Sequence, residues 1–424
     1  MKTRIALFAA LLWLVTIATA LAQGTTGGAT LASAKPEQVG LSSERLARLT
    51  AILRADVEKG TIPGAILLVA RKGKIAVFEP IGVRDPQTKA SMTRDAIFRI
   101  YSMSKPITSV AAMMLVEDGR CALTEPVSKY IPQLGGLKVA VEKPDAPLEL
   151  VPSRRDMTIH DLFRHTSGLT YGFFGNTQVK KMYVESKVWN DYPTNEELVN
   201  RLAKLPLANQ PGTVFDYSHS TDVLGRLIEV ISKKSLYEFE KERILDPLGM
   251  KDTAFYVTDP KKHDRIVEPF ANDRNFGIEA DLNDPRVVQK WESGGGGMVG
   301  TTMDYARFAQ MLLNGGTLDG KRILSPKTVA YMTADHLGTA IAQGPLYLPG
   351  PGFGFGLGFG VRKEAGVSPL PGSVGEFNWG GAAGTYFWAD PKEEMFVLFM
   401  MQSPKQRVPY RALLKNMIYG AIVR

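Results

Sequence analysis

Apolar positions in the first part of this chain recur with a helical period. Leu46, Leu49, Ile52 and Leu53 fall on one stripe, Ser42 or Ser43 stands where a cap belongs, and Gly60 where a helix stops. The spacing predicts a helix from Ser42 to Lys59. Two apolar runs of strand length follow, Ala65–Ala70 and Lys74–Pro80. The tight Arg71-Lys72-Gly73 turn between them predicts an antiparallel hairpin. Over Ile97–Gly119 a short strand-like run, Ile97–Tyr101, passes into a helix whose apolar positions include Ile107, Val110, Met113, Met114 and Leu115. Pro106 suits its first turn, where a missing N–H is no loss, and Gly119 suits its end.

From Leu123 to about Arg286 the pattern is mostly helical with long loops. It predicts helices over Thr158–His165, Thr194–Leu205, Asp222–Lys233 and Leu236–Leu245, the last pair ended by Pro247 and Gly249. Loop aromatics (Tyr171, Phe173, Phe174) line a cleft or pack locally. Strand patterning returns after the glycine run Gly294–Gly297 and a helix over Thr302–Asn314. Phe353–Val361 reads as one strand, and Phe377–Ala389 and Glu394–Met401 as two long strands around an Asp390-Pro391-Lys392 turn. A helix over Val408–Ile422 closes the pattern. Strands at both ends with helices between them predict an α+β fold: an antiparallel sheet flanked by helices, built from both ends of the chain, with a mostly helical inserted region. The sheet region covers about 40–120 and 295–424, the helical region about 121–294, all within one domain over 23–424.

The first 22 residues read differently. Lys2 and Arg4 precede an almost wholly apolar run, Ile5–Ala18, and Ala20-Leu21-Ala22 is a small-x-small cleavage signal. This is a secretory leader cut after Ala22, which predicts a periplasmic or secreted protein with no membrane span once the leader is gone. Its loss lowers the net charge from +8 to +6. The remaining basic residues are scattered, the densest being Arg71–Lys74, and no nucleic-acid-binding pattern accompanies them. Cys121 is the one cysteine, so the chain has no internal disulfide and Cys121 reads as a small core residue.

Candidate chemistry centres on Ser102-Met-Ser-Lys105. Three positions apart at a helix start, the hydroxyl and the amine share a face, and an amine that takes the proton of a serine makes a nucleophile. The motif alone also fits a capping serine followed by a solvated lysine. Other recipes are missing: no G-x-S-x-G elbow, no H-E-x-x-H, no phosphate loop, no cysteine pair, and no two of the five histidines spaced to hold a metal. Two further segments carry chemistry. Tyr217, in Tyr217-Ser-His219, stands among polar neighbours, where a tyrosine between cations can act as a base. Trp379-Gly380-Gly381-Ala382 opens a late strand, where glycines admit close approach and a backbone N–H could join that of Ser102 around an oxyanion.

In this order and spacing the three segments resemble the serine β-lactamase and penicillin-binding-protein superfamily, most closely its class C β-lactamase-like branch and, within that, the family VIII carboxylesterases. His165-Thr166-Ser167-Gly168-Leu169 and Pro211-Gly212 are similar to the same branch. The resemblance implies Ser102 as the acylated nucleophile, Lys105 and Tyr217 as its bases, and the N–H groups of Ser102 and Ala382 as the oxyanion hole. It implies His219, Trp379, Gly380 and Gly381 at the substrate, His165 as a buried turn residue, and hydrolysis without metal or organic cofactor. Two positions depart from the family pattern. Trp379 stands where penicillin-recognising members carry a lysine, and His219 where they carry an asparagine; His219 also fits a structural helix start. Both departures favour a neutral ester over a β-lactam or a cell-wall peptide. The expected partner is therefore a small-molecule ester or β-lactam-like substrate, with no nucleic acid and no assigned oligomeric state.

Overall fold

The computed structural model describes residues 31–143, 146–274, 282–344 and 347–424; the leader at 1–22 lies outside them. Among the described residues no helix is long and apolar enough to cross a membrane. The frame is one antiparallel sheet of eight strands. Three come early: β1 (Gly64–Arg71), β2 (Lys74–Asp85) and β3 (Ala90–Ser91). A separate short strand, β4 (Ile97–Arg99), pairs with β7 (Val299–Thr301), and a small hairpin joins β5 (Lys138–Val141) to β6 (Glu149–Pro152). The other five sheet strands come late: β8 (Phe353–Phe355), β9 (Gly360–Arg362), β10 (Phe377–Gly380), β11 (Tyr386–Asp390) and β12 (Met395–Met401). The order across the sheet is β8-β9-β10-β11-β12-β1-β2-β3.

The join between early and late strands is the β1–β12 pair, in register from Ala65 opposite Met401 to Arg71 opposite Met395. Both strands are buried along their whole length, which is why their sequences, GAILLVAR and MFVLFMM, are nearly continuous apolar runs. Alternate residues face opposite layers. Leu67, Val69, Val397 and Phe399 face α1 (Ser43–Glu58) and the late helix α10 (Arg407–Tyr419). Ile66, Leu68, Leu398 and Met400 face α2 (Ser104–Glu117) and α8 (Thr302–Leu313). Each such side chain contributes about 1.5–3 kcal/mol by leaving water. Further helices follow α2: α3 (Ile159–Phe163), α4 (Gln178–Ser186), α5 (Asn195–Leu202), α6 (Ser220–Ser232) and α7 (Leu236–Glu240), with α9 (Pro326–Met332) after α8.

Several expectations are corrected. Phe353–Val361 is not one strand but the hairpin β8–β9, turned at Gly358, whose φ of 96° only glycine adopts readily. Phe377–Ala389 is likewise two strands, because Gly381–Thr385 forms a tight turn that reverses the chain. The strand at Ile97 ends at Arg99, and Tyr101–Met103 is already a 3₁₀ turn. The helix read over Leu236–Leu245 changes to a π-helical turn at Lys241–Leu245. Ile52 lies outside the buried stripe, 37% exposed, while Leu46, Leu49 and Leu53 are buried.

Candidate active site

The serine and lysine meet where a 3₁₀ turn runs into α2. Tyr101, directly before Ser102, has φ 44°, a left-handed conformation that a bulky residue rarely adopts and that redirects the chain at this point. Ser102 is half-buried and Lys105 wholly buried. Lys105 Nζ lies 3.4 Å from Ser102 Oγ, 3.0 Å from Tyr171 Oη and 2.6 Å from the Gly295 carbonyl oxygen. Among the described residues no carboxylate reaches the amine within ion-pair distance.

Tyr217 faces the same amine, whose Nζ stands 4.5 Å from its ring centroid. The His-Thr-Ser-Gly turn holds the Tyr217 segment in place. Gly212 N–H donates to the Thr166 carbonyl at 2.7 Å, and Asp216 N–H to the His165 carbonyl at 2.9 Å. That turn is in turn fixed by Asp161, whose carboxylate accepts from Thr166 Oγ1 at 2.8 Å and from Arg155 and Arg164. The His165 ring packs on Tyr217 at 4.7 Å. Its Nδ1 accepts the Ser218 N–H at 3.3 Å, so a proton on the imidazole sits at Nε2. Burial first, and the charge of Lys105 second, push its pKa well below the usual range. His165 is therefore a neutral support for Tyr217, with no free base to offer.

Trp379 lies on the other side of Tyr217, its ring 5.4 Å away, and its indole Nε1–H donates to the tyrosine oxygen at 3.2 Å. The indole is thus a hydrogen-bond donor aimed at the phenol as well as an apolar ring beside it. Gly380 and Gly381 are explained by contacts within the chain. A side chain on Gly381 would overlap the Ile100 carbonyl and Thr385, and one on Gly380 would overlap the guanidinium of Arg411. The strand that carries Trp379 therefore packs directly against the segment leading to Ser102. Ala382 stands in the turn after β10, half-buried.

His219 is buried against Tyr171 and Asp222. It is 2% exposed, its Nδ1 lies 2.9 Å from Asp222 Oδ2, and its ring packs against Tyr171 at 4.4 Å. It precedes α6 without capping it through its side chain.

Sequence reasoning missed four contributors. Tyr171 shares the lysine amine, and burial, with the Asp222 charge next, holds its hydroxyl protonated, well above the usual range. The Gly295 carbonyl and Asp222 belong to a contact between α6 and the glycine run. Arg411, from α10, brings a cation up to Gly380. Only Tyr171 had a signal in the sequence, its place in an aromatic loop after the His-Thr-Ser-Gly turn.

The eight-stranded antiparallel sheet thus lies between two helical layers, with a serine and a lysine at the head of α2. The family model described as Beta-lactamase matches residues 49–417, and the chain belongs to that family. It is 38% identical over 362 residues to Protein Rv1367c of Mycobacterium tuberculosis, covering 83% of this chain and 88% of the relative. It is 29% identical over 416 residues to Esterase EstB of Burkholderia gladioli, covering 92% and 100%. Among solved structures it is similar to EstCE1, described as a hydrolase with promiscuous acyltransferase activity. That likeness has a TM-score of 0.72 and 26% identity, and covers 89% of this chain and 98% of the other. The protein is a serine hydrolase of the β-lactamase superfamily.

Proposed function

We propose that the protein is an exported carboxylesterase acting on small or medium neutral esters through an acyl-enzyme at Ser102. One observation carries this reading: the Lys105 amine lies beside Ser102 Oγ with hydroxyls and a carbonyl as its partners and, among the described residues, no carboxylate, so it is free to exchange a proton with the serine. Ser102 Oγ attacks the ester carbonyl carbon and its proton passes to Lys105. The N–H groups of Ser102 and Ala382 hold the oxygen of the tetrahedral intermediate. Collapse breaks the bond to the alcohol, which leaves with a proton delivered through Tyr217. Water then attacks the acyl carbon, and Ser102 recovers its proton as the acid departs. The likeness to Esterase EstB supports the choice of an ester, as does the neutral indole that takes the place of a lysine beside Tyr217.

A second reading has its own observation. The Arg411 guanidinium against Gly380 gives the site a cation, which suits a carboxylate-bearing β-lactam or a cell-wall peptide. A paired assay separates the two. The purified mature protein is offered p-nitrophenyl butyrate in one arm and a chromogenic cephalosporin in the other, with Ser102→Ala as the blank in each. Ester turnover lost in Ser102→Ala, with little cephalosporin turnover, is the expected result. Faster cephalosporin turnover overturns the esterase reading in favour of the second. Detection of the mature protein starting at Gln23 outside the cytoplasm tests export.

A further inference from the structure

The run Gly294–Gly297 has the composition of a loose loop, yet it is tied at nearly every residue. Thr108 Oγ1, one turn along α2 from Lys105, donates to the Gly294 carbonyl at 3.0 Å. Gly296 and Gly297 fold back on the Ser293 carbonyl, and Met298 N–H donates to Ser104 Oγ at 3.1 Å. The central tie comes from Asp222 on α6, only 1% exposed. Its Oδ1 accepts from Ser293 Oγ at 2.6 Å and from Gly295 N–H at 3.1 Å. Its Oδ2 faces His219. Burial would raise the carboxyl pKa, but the hydrogen bond from His219, its charge and that of Lys105 outweigh burial and lower it. Gly295 is a glycine because of crowding: a Cβ there would stand 2.9 Å from Tyr171 Oη and 3.0 Å from both oxygens of Asp222.

The same peptide that gives its N–H to Asp222 gives its carbonyl to Lys105. A carbonyl oxygen only accepts, so it always holds one of the amine's hydrogens. Held this way, with Tyr171 as a second partner, the amine has its remaining position directed at the Ser102 hydroxyl. We propose that Asp222 is a positioning residue of the hydrolytic site: by pinning the Gly295 peptide, it sets the direction in which Lys105 meets Ser102. The inference rests on Ser102 and Lys105 as the reacting pair.

The test is the rate at which a fluorophosphonate labels Ser102, measured beside kcat and KM on p-nitrophenyl butyrate. Final label counts competent sites, and the thermal midpoint is read for each protein. Asp222→Ala is expected to slow labelling and kcat per competent site together, by about 10–100-fold, with KM within about threefold of wild type. Asp222→Asn is expected to recover most of that rate, since an amide oxygen still accepts from Gly295 while its NH₂ donates to His219 Nδ1 once the imidazole proton is on Nε2. Asp222→Ala with a wild-type labelling rate and a lowered midpoint alone overturns the inference, because a purely structural role gives that result. Should Asp222→Ala fail to fold, Ser293→Ala decides: slower labelling at unchanged KM supports the inference, and a wild-type rate overturns it. A wild-type protein that takes no label removes the serine nucleophile itself, and the inference falls with it.

Discussion

Lys105 and Lys415 are both buried, one on each side of the sheet, and they have opposite surroundings. Lys415 donates to Glu376 Oε1 at 2.6 Å, with Arg362 3.5 Å from the same carboxylate oxygen and Tyr419 on the other. Its amine also lies over Trp388, 4.6 Å from the ring centroid. Burial pushes this amine down to about 8 although Glu376 pulls the other way. Lys105 has a carbonyl and two hydroxyls in place of the carboxylate. A lysine with a carboxylate partner is part of an ion pair, and its hydrogens are directed at that carboxylate. A lysine among neutral oxygens can pass a proton to and from a hydroxyl. Burial alone does not mark the reactive residue; the kind of partner does.

Lys105→Met and Lys415→Met put this contrast to its hardest test. The first is expected to lower kcat by about 10³-fold or more. The second leaves kcat per folded molecule unchanged and costs about 3 kcal/mol of stability, because Glu376 then stays buried with Arg362 as its remaining cation. Ester hydrolysis and chemical denaturation of both proteins check the pair, and equal kcat losses would erase the distinction. Tyr217→Phe, which keeps the ring and its packing on His165 and Trp379, is expected to cost about 10²-fold in kcat with little change in melting.

Asp161 sharpens the comparison from the side of stability. Burial alone would raise its carboxyl, but hydrogen bonds from Arg155, Thr158 and Thr166 outweigh burial and hold it at about 2, against 3.8 for a free aspartate. Its folded pKa is depressed, so its contribution is complete above pH 3.8 and disappears as the pH falls toward 2. About 2 kcal/mol of stability is expected to go over that window, and Asp161→Asn should flatten that part of a stability–pH curve. Trp379→Phe gives the smallest effect. It removes one neutral donor from Tyr217 and should slow turnover about tenfold, measured on the same ester.

The structure's contrast was only half legible in the sequence. Ser102 and Lys105 share a helix start, so their neighbourhood follows from local spacing, and Tyr217 and Trp379 stand in short segments with their own signature. The partners that make Lys105 different are not local. Asp222 on α6 reads as an ordinary first-turn acid, and Gly295 as one of four equivalent glycines, until α2 and α6 pack together. Phe377–Ala389 reads as one strand because Gly381-Ala382-Ala383-Gly384 lacks the proline, asparagine or aspartate that usually announces a turn. The donor role of Trp379 depends on where Tyr217 lies across the site, which local sequence does not show.

The β1–β12 pairing also has a consequence in time. Arg71, at the end of β1, reaches the carbonyl of Arg424, 353 positions away. A ribosome makes β1 long before β12, so the middle of the sheet stays an open, sticky edge until β12 is made. Closing so long a loop makes folding slow. A truncation that removes Met395–Met401 would leave β1 unpaired on one side, a ready template for aggregation.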